Sequence, residues 1–240
     1  MTLQHIRDNA NAQVTGINHG AGSDVSLPTN QLDLVKLQAG DLAPVTLSVA
    51  AGECLVLAGA SGSGKSRLLR VIADLDASME NAAGQIVLGG VDLLHYSGPE
   101  WRRRVAYLAA ESQWWFDDVA AHFSIMPTPE QMQSLGLKPE LLQQAVSRLS
   151  SGERQRLALL RLLVQQPRVL LLDEPTASLD PEATRAVEQL IADYRQQHQA
   201  AVIWVSHDVN QAGRVGQHYF YINQGRVCDQ GDGSTRTEDE

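Results

Sequence analysis

The feature that most constrains this chain is the octapeptide Gly59-Ala60-Ser61-Gly62-Ser63-Gly64-Lys65-Ser66. It follows the apolar run 54–58 and leads directly into Arg67-Leu68-Leu69-Arg70-Val71, a helical pattern. The segment satisfies G-x-x-x-x-G-K-[ST] in the strand, loop and helix setting that the motif requires. Its glycines let successive backbone N–H groups turn inward on one anion, and the helix N-terminus adds about half a positive charge. Lys65 is expected to reach the β- and γ-phosphates of a nucleotide, and the Ser66 hydroxyl to ligand Mg²⁺. The nucleotide-binding set is therefore Gly59, Ala60, Ser61, Gly62, Ser63, Gly64, Lys65 and Ser66, together with Arg67. Only three of the 240 residues are Lys, so one placed at this position is hard to ascribe to chance.

Around this loop, short apolar runs alternate with longer amphipathic ones, the pattern of a parallel sheet connected through helices. Residues 55–58, 105–109, 169–172 and 202–205 are continuously apolar, as parallel strands covered on both faces should be. Residues 32–37, 45–49, 85–88 and 218–222 are expected as more exposed, antiparallel strands. Helices are expected over 66–75, 151–165, 181–197 and 210–215. Pro167 bounds the second of these, and Asp180 followed by Pro181 opens the third. The stretch 114–148 reads as mostly helical and polar, interrupted by Pro127, Pro129 and Pro139. The expected fold class is α/β, a P-loop NTPase: a mainly parallel sheet with helices on both faces, an antiparallel β subdomain and a short helical subdomain at 112–148. Residues 1–30 carry turn formers without periodicity and are expected as a mobile arm, and 231–240 as a disordered acidic tail. The nucleotide domain then spans 31–230.

Composition narrows the function classes. With 19 Lys plus Arg against 28 Asp plus Glu, the net charge of −9 repels polyanions, and nucleic acid is not an expected partner. No apolar run approaches the roughly 18–20 residues needed to cross a bilayer, and no h-region opens the chain. A cytoplasmic protein is expected. Cys54 and Cys228 are the two cysteines, and neither lies near a second Cys or a His pair at metal-ligand spacing. That usage fits a reduced compartment and argues against a zinc site.

A second pattern concerns carboxylates. Val169-Leu170-Leu171-Leu172-Asp173-Glu174 delivers two of them at the carboxyl end of an apolar strand, where ligands of open α/β sheets bind. Asp173 suits Mg²⁺, held largely through water, and Glu174 suits polarisation of an attacking water. Ser150 can cap the helix that follows it, and the exposed first-turn N–H groups there form an anion site. Asp180 can cap the next helix. His207 sits just past an apolar strand, where it can meet a phosphate beside Asp173 and Glu174.

In order and spacing these residues resemble the ATP-binding cassette (ABC) ATPases over residues 30–230. Leu149-Ser150-Ser151-Gly152-Glu153, followed by Arg154-Gln155-Arg156, is similar to that family's signature sequence. Ala177-Ser178-Leu179-Asp180 resembles its D-loop, and Val205-Ser206-His207-Asp208 its switch histidine. The resemblance implies ATP and Mg²⁺ as ligands and Lys65, Glu174 and His207 as catalytic residues. It implies that Ser150, Ser151, Gly152 and Glu153 grip the γ-phosphate of an ATP bound by another copy. Two cassettes would sandwich ATP head to tail, on a separately encoded transmembrane permease at the inner face of the cell membrane. The short segment before Leu149, together with residues 201–208, is similar to small bacterial exporter cassettes, including a group proposed to export iron. The alternatives are a soluble ABC ATPase of DNA repair or translation, and a degenerate regulatory nucleotide binder. The first usually inserts a coiled coil, a zinc module or a second cassette; Lys65, Asp173, Glu174 and His207 oppose the second.

The pattern departs from the family in two places. Family cassettes usually end the strand 105–109 with a Gln that touches Mg²⁺; here Ala110 stands there, and Glu111 is expected to substitute, with Gln113 two residues on. The family often stacks adenine on an upstream aromatic residue, yet no Phe, Trp or Tyr precedes Tyr96, so aliphatic groups near 37–45 are expected to pack on the base. Trp114, Trp115 and Phe116 fall where the family's membrane subunit docks. Core packing and docking are both open for them, and exposure would favour docking. Trp101-Arg102-Arg103-Arg104 reads as a solvated basic face.

Overall fold

The computed structural model describes residues 29–76 and 83–229. The expected arm and tail, 1–30 and 231–240, lie outside these residues apart from Thr29 and Asn30. Those two are hydrogen-bonded: Arg168 donates to Thr29 O and Asn30 Oδ1, and Asn30 Nδ2 donates to His198 O.

Four strands, β1 (Leu32–Leu37), β2 (Val45–Val49), β4 (Gln85–Leu88) and β5 (Val91–Asp92), form an antiparallel sheet in the order β2-β1-β4-β5. The second sheet holds β3 (Cys54–Gly59), β6 (Val105–Leu108), β7 (Val169–Asp173), β8 (Ala201–Val205), β9 (His218–Asn223) and β10 (Arg226–Asp229). Its order is β10-β9-β3-β8-β7-β6, parallel throughout except for the β9–β10 hairpin.

The continuous apolar runs have a simple cause. Successive side chains of a strand point to opposite faces, and both faces of this sheet are covered. Leu55, Leu57, Val169, Leu171, Ala201 and Ile203 enter one core, shared with the inner face of the antiparallel sheet. Cys54, Val56, Leu170, Leu172, Val202 and Trp204 enter a second core on the other side. A Leu→Ala change in either layer is expected to cost about 2–5 kcal/mol, because close-packed neighbours cannot fill the void.

The helices are α1 (Lys65–Ile72), α2 (Gly98–Arg104), α3 (Pro129–Ser134), α4 (Ser151–Leu163), α5 (Pro181–His198) and α6 (Val209–Val215). Helix α1 packs Leu68, Leu69, Val71 and Ile72 into the first core. Helices α4 and α5 pack Leu157, Leu160, Val187 and Ile191 into the second. The α/β class with helices on both faces is as expected from the sequence.

Three local expectations are corrected. Residues 218–222 pair parallel with β3 on one side and antiparallel with β10 only on the other. The stretch 114–148 holds one six-residue α-helix, α3, among short 3-10 turns, and it is not mainly polar: Val119, Met132, Leu135 and Leu137 are core. Trp101 is no part of a solvated face. It is buried in α2, donates Nε1–H to Ile72 O at 2.8 Å, and leaves Arg102 to pair with Asp74 at 2.9 Å.

Candidate nucleotide site

Parallel pairing of β3, β8, β7 and β6 aligns their carboxyl ends along one edge of the sheet. The phosphate loop leaves β3 there, Asp173 ends β7 with Glu174 just past it, and His207 follows β8. A cleft of ≈ 610 Å³ at this edge is lined by Ser61 through Arg67, by Glu174 and His207, and by Ala39, Asp41, Leu42, Gln224 and Gly225. Ala39 and Leu42, from the 37–45 stretch, line this cleft together with Arg67. The Arg67 guanidinium lies flush against Gly40, whose φ of 61° and missing Cβ permit the approach.

The loop is shaped by its glycines. Gly62 (φ 76°) and Gly64 (φ 102°) occupy the left-handed region, and Gly64 begins α1 with no side-chain cap. The first-turn N–H groups of α1 thus keep no side-chain acceptor of their own, which suits an anion. Lys65 Nζ donates to Gly59 O at 2.8 Å and to Ala60 O at 2.9 Å. Burial holds this ammonium below the usual lysine range, while Glu174 and Asp173 pull the other way. Ser63 Oγ is buried without a hydrogen-bond partner. A buried hydroxyl is costly to leave unpaired, so the loop fits a ligand that supplies oxygens.

Opposite the loop, His207 Nε2 lies 2.7 Å from Glu174 Oε1. Glu174 holds φ 48°, a left-handed backbone rare for a non-glycine residue, and its own N–H donates to Val205 O at 3.2 Å. Asp173 is buried and accepts from Tyr107 Oη at 3.0 Å. Burial, and then the Asp173 carboxylate, push the Tyr107 hydroxyl above the usual tyrosine range, so it stays a donor. Among the described residues no group of three or more His, Cys, Asp or Glu side chains is arranged to hold a metal alone. Ser66 lines the cleft, whereas Asp173, the carboxylate expected to join it at Mg²⁺, does not and has Oδ2 bonded to Tyr107.

Glu111 is not brought into this constellation. It is exposed beyond the end of β6, where its carbonyl accepts from Gln113 Nε2 at 3.4 Å. Ser150, Ser151, Gly152 and Glu153 also lie outside the residues lining the cleft of their own chain. Ser150 caps α4: Glu153 N–H donates to its Oγ at 3.2 Å, and Glu153 Oε2 accepts from Ser150 N–H at 2.9 Å. That backbone bond, seconded by the Ser150 hydroxyl, holds the Glu153 carboxyl below its usual range. Gly152 packs on the Ser178–Leu179 turn, where a Cβ would come within 3.2 Å of Leu179. Asp180 caps α5 through a 2.8 Å bond from Ala183 N–H.

Sequence reasoning missed Tyr107, Gln155 and Gln211, all of which act across long sequence separations. Gln155 Nε2 ties the start of α4 to Ala109 O at 3.2 Å. The aromatic group divides: Trp115 is 64% and Phe116 51% exposed, whereas Trp114 is half-buried against the second core. His122, buried, braces them by accepting the N–H groups of Trp115 and Phe116 at Nε2 (2.9 and 3.0 Å), while Arg161 stacks on Trp114 and Trp115.

Comparison with known proteins agrees with this geometry. The family profile described as "ABC transporter" matches residues 42–177. A curated relative, "Putative ABC transporter ATP-binding protein YjkB" of Bacillus subtilis, is 34% identical over 78% of this chain and 78% of its own length. "Phosphate import ATP-binding protein PstB 2" of Aliivibrio fischeri is 29% identical over 91% of this chain and 88% of its own. A solved dimer of the ATP-binding cassette MJ0796 bound to ADP and Pi shares the fold, with TM-score 0.70 and 21% identity over 83% of this chain and 97% of that one. The chain belongs to the ABC transporter family, as one of its ATP-hydrolysing cassettes.

Proposed function

We propose that this chain hydrolyses ATP to drive a membrane transporter, as a pair of identical cassettes seated on a separately encoded transmembrane permease. The observation that carries the reading is that the phosphate loop, Glu174 and His207 line one cleft. The polyphosphate would lie on the loop N–H groups, and Lys65 would exchange its bonds to Gly59 and Ala60 for the β- and γ-phosphates. Ser66 and Asp173 are the residues to hold Mg²⁺, which when bound neutralises charge at those phosphates. Water attacks the γ-phosphorus in line, the bond to the βγ-bridging oxygen breaks, and ADP leaves. Glu174 accepts the proton of that water, and His207 turns its Nε2–H from Glu174 to a γ-phosphate oxygen.

Ser150 to Glu153 of a second copy complete the site in this reading, which is supported by their position outside the cleft of their own chain. The exposed Trp115 and Phe116 support docking of the permease on their face, at the inner side of the membrane. No helix among the described residues is long and apolar enough to cross a bilayer. Export is the finer reading that the short segment 112–148 suggests. A relative named for phosphate import speaks against reading direction from the cassette.

The test is steady-state ATP hydrolysis by the purified chain, alone and with the permease, against Lys65→Ala. Mg²⁺-dependent turnover lost in the variant is expected. Absence of turnover in the wild-type complex, or full turnover in Lys65→Ala, would contradict the proposal.

A further inference from the structure

Gln211, on α6, is 4% exposed and uses both ends of its amide. Its Oε1 accepts from Ser206 Oγ at 2.8 Å and from Trp204 Nε1 at 3.3 Å, both at the end of β8. Its Nε2 donates to Thr176 Oγ1 at 2.8 Å and to Glu188 Oε1, on α5, at 2.9 Å. Arg214 grips the same Glu188 carboxylate through two bonds, at 2.9 and 2.7 Å. A primary amide offers two donors and one oxygen with two lone pairs, so every position of Gln211 is used. The amide cannot be turned over, since that would set its oxygen against a carboxylate.

The two segments joined this way are those that carry the catalytic pair. Ser206 immediately precedes His207, and Thr176 lies two residues past Glu174. Glu174 needs such support. A non-glycine residue at φ 48° persists only where its surroundings over-determine it. The backbone supplies part of this, through Glu174 N–H to Val205 O and Ala177 N–H to Glu174 O, both at 3.2 Å. Gln211, which does not line the cleft, supplies the side-chain part. Thr176 O in turn accepts from Leu179 N–H at 3.1 Å, which extends the connection to the turn on which Gly152 packs.

We propose that Gln211 is a positioning residue for hydrolysis: by bonding Ser206 and Thr176 at once, it holds His207 and Glu174 in their mutual geometry. The inference rests on the roles given to Glu174 and His207 under the proposed function. A fully satisfied buried network of this kind rigidifies what it joins, and small displacements at a reacting centre are costly.

The decisive variants are Thr176→Val, which removes one hydroxyl and keeps the shape, and Thr176→Ser, which restores a hydroxyl. Thr176→Val is expected to lower kcat about tenfold while KM and nucleotide Kd stay within about twofold, and Thr176→Ser to recover most of the loss. Gln211→Glu keeps the acceptor for Ser206 and Trp204, loses both donors and faces Glu188 with a second carboxylate. It is expected to act in the same direction; should it fail to fold, the Thr176 pair decides alone. Wild-type kcat in Thr176→Val, or a loss that Thr176→Ser does not recover, overturns the inference. Glu174→Gln, assayed in parallel, separates the two levels. Full turnover there removes the catalytic reading itself, whereas its loss beside an unaffected Thr176→Val removes only the role of Gln211.

Discussion

His207 Nε2 lies 2.7 Å from Glu174 Oε1, so the side chains that follow β8 and β7 meet at the carboxyl edge of the sheet. In the proposed reaction the imidazole turns from Glu174 to the γ-phosphate and frees that oxygen to orient the attacking water. His207→Ala is expected to lower kcat by about 10²-fold while leaving nucleotide affinity, measured with a fluorescent ATP analogue, near wild type. Unchanged kcat would remove His207 from the reaction.

Tyr107 and Glu111, on and just past β6, differ in their relation to Asp173. Tyr107 Oη holds Asp173 Oδ2 at 3.0 Å, whereas the Glu111 side chain is exposed outside the cleft. Tyr107→Phe is expected to raise the Mg²⁺ concentration for half-maximal turnover and to cost about 1 kcal/mol of stability. Glu111→Ala is expected to leave the Mg²⁺ titration unchanged. A shifted titration in Glu111→Ala would return that carboxylate to the metal.

Ser150 has a structural role that can be separated from a role toward a partner's ATP. Ser150→Ala removes the cap of α4 and is expected to destabilise the chain by about 1 kcal/mol. Ser150→Asp keeps a cap of similar quality but brings negative charge to the face that would meet the γ-phosphate. Thermal unfolding near wild type together with lost ATP-driven association is the expected result for Ser150→Asp. Normal association would leave Ser150 with capping alone.

Cys54 should be chemically silent. Burial pushes its thiol from an ordinary 9.0 up to about 12, against a smaller opposing pull from Arg195. The neutral thiol therefore favours the folded state fully below pH 9, and that contribution is lost as pH rises from about 9 through about 12. Thiol titration of the native chain is expected to label exposed Cys228 and spare Cys54, with Cys54 reacting only on unfolding. Native labelling of Cys54 would show that the second core opens.

Legibility in the sequence followed locality. The phosphate loop, Asp173, Glu174 and the cap at Ser150 are contiguous with the elements that position them, so turn chemistry and periodicity revealed them. Tyr107 and Gln211 act on Asp173 and Thr176, 66 and 35 residues away. No local pattern announces such contacts. The parallel side of β9 was hidden for the same reason, since its neighbour β3 lies far upstream. Residues 114–148 misled differently. Their turns are too short for helical periodicity, and Val119, Met132 and Leu137 are buried one at a time rather than as a stripe.

The central claim is that the phosphate loop and Glu174 form a hydrolytic site completed by a second copy. Glu174→Gln, examined by light scattering with Mg²⁺-ATP and by phosphate release, tests it most directly. The expected result is retained ATP binding, turnover reduced by about 10²-fold or more, and a stable dimer that disperses when ATP is withdrawn. Wild-type turnover, or a monomer at saturating ATP, would contradict it.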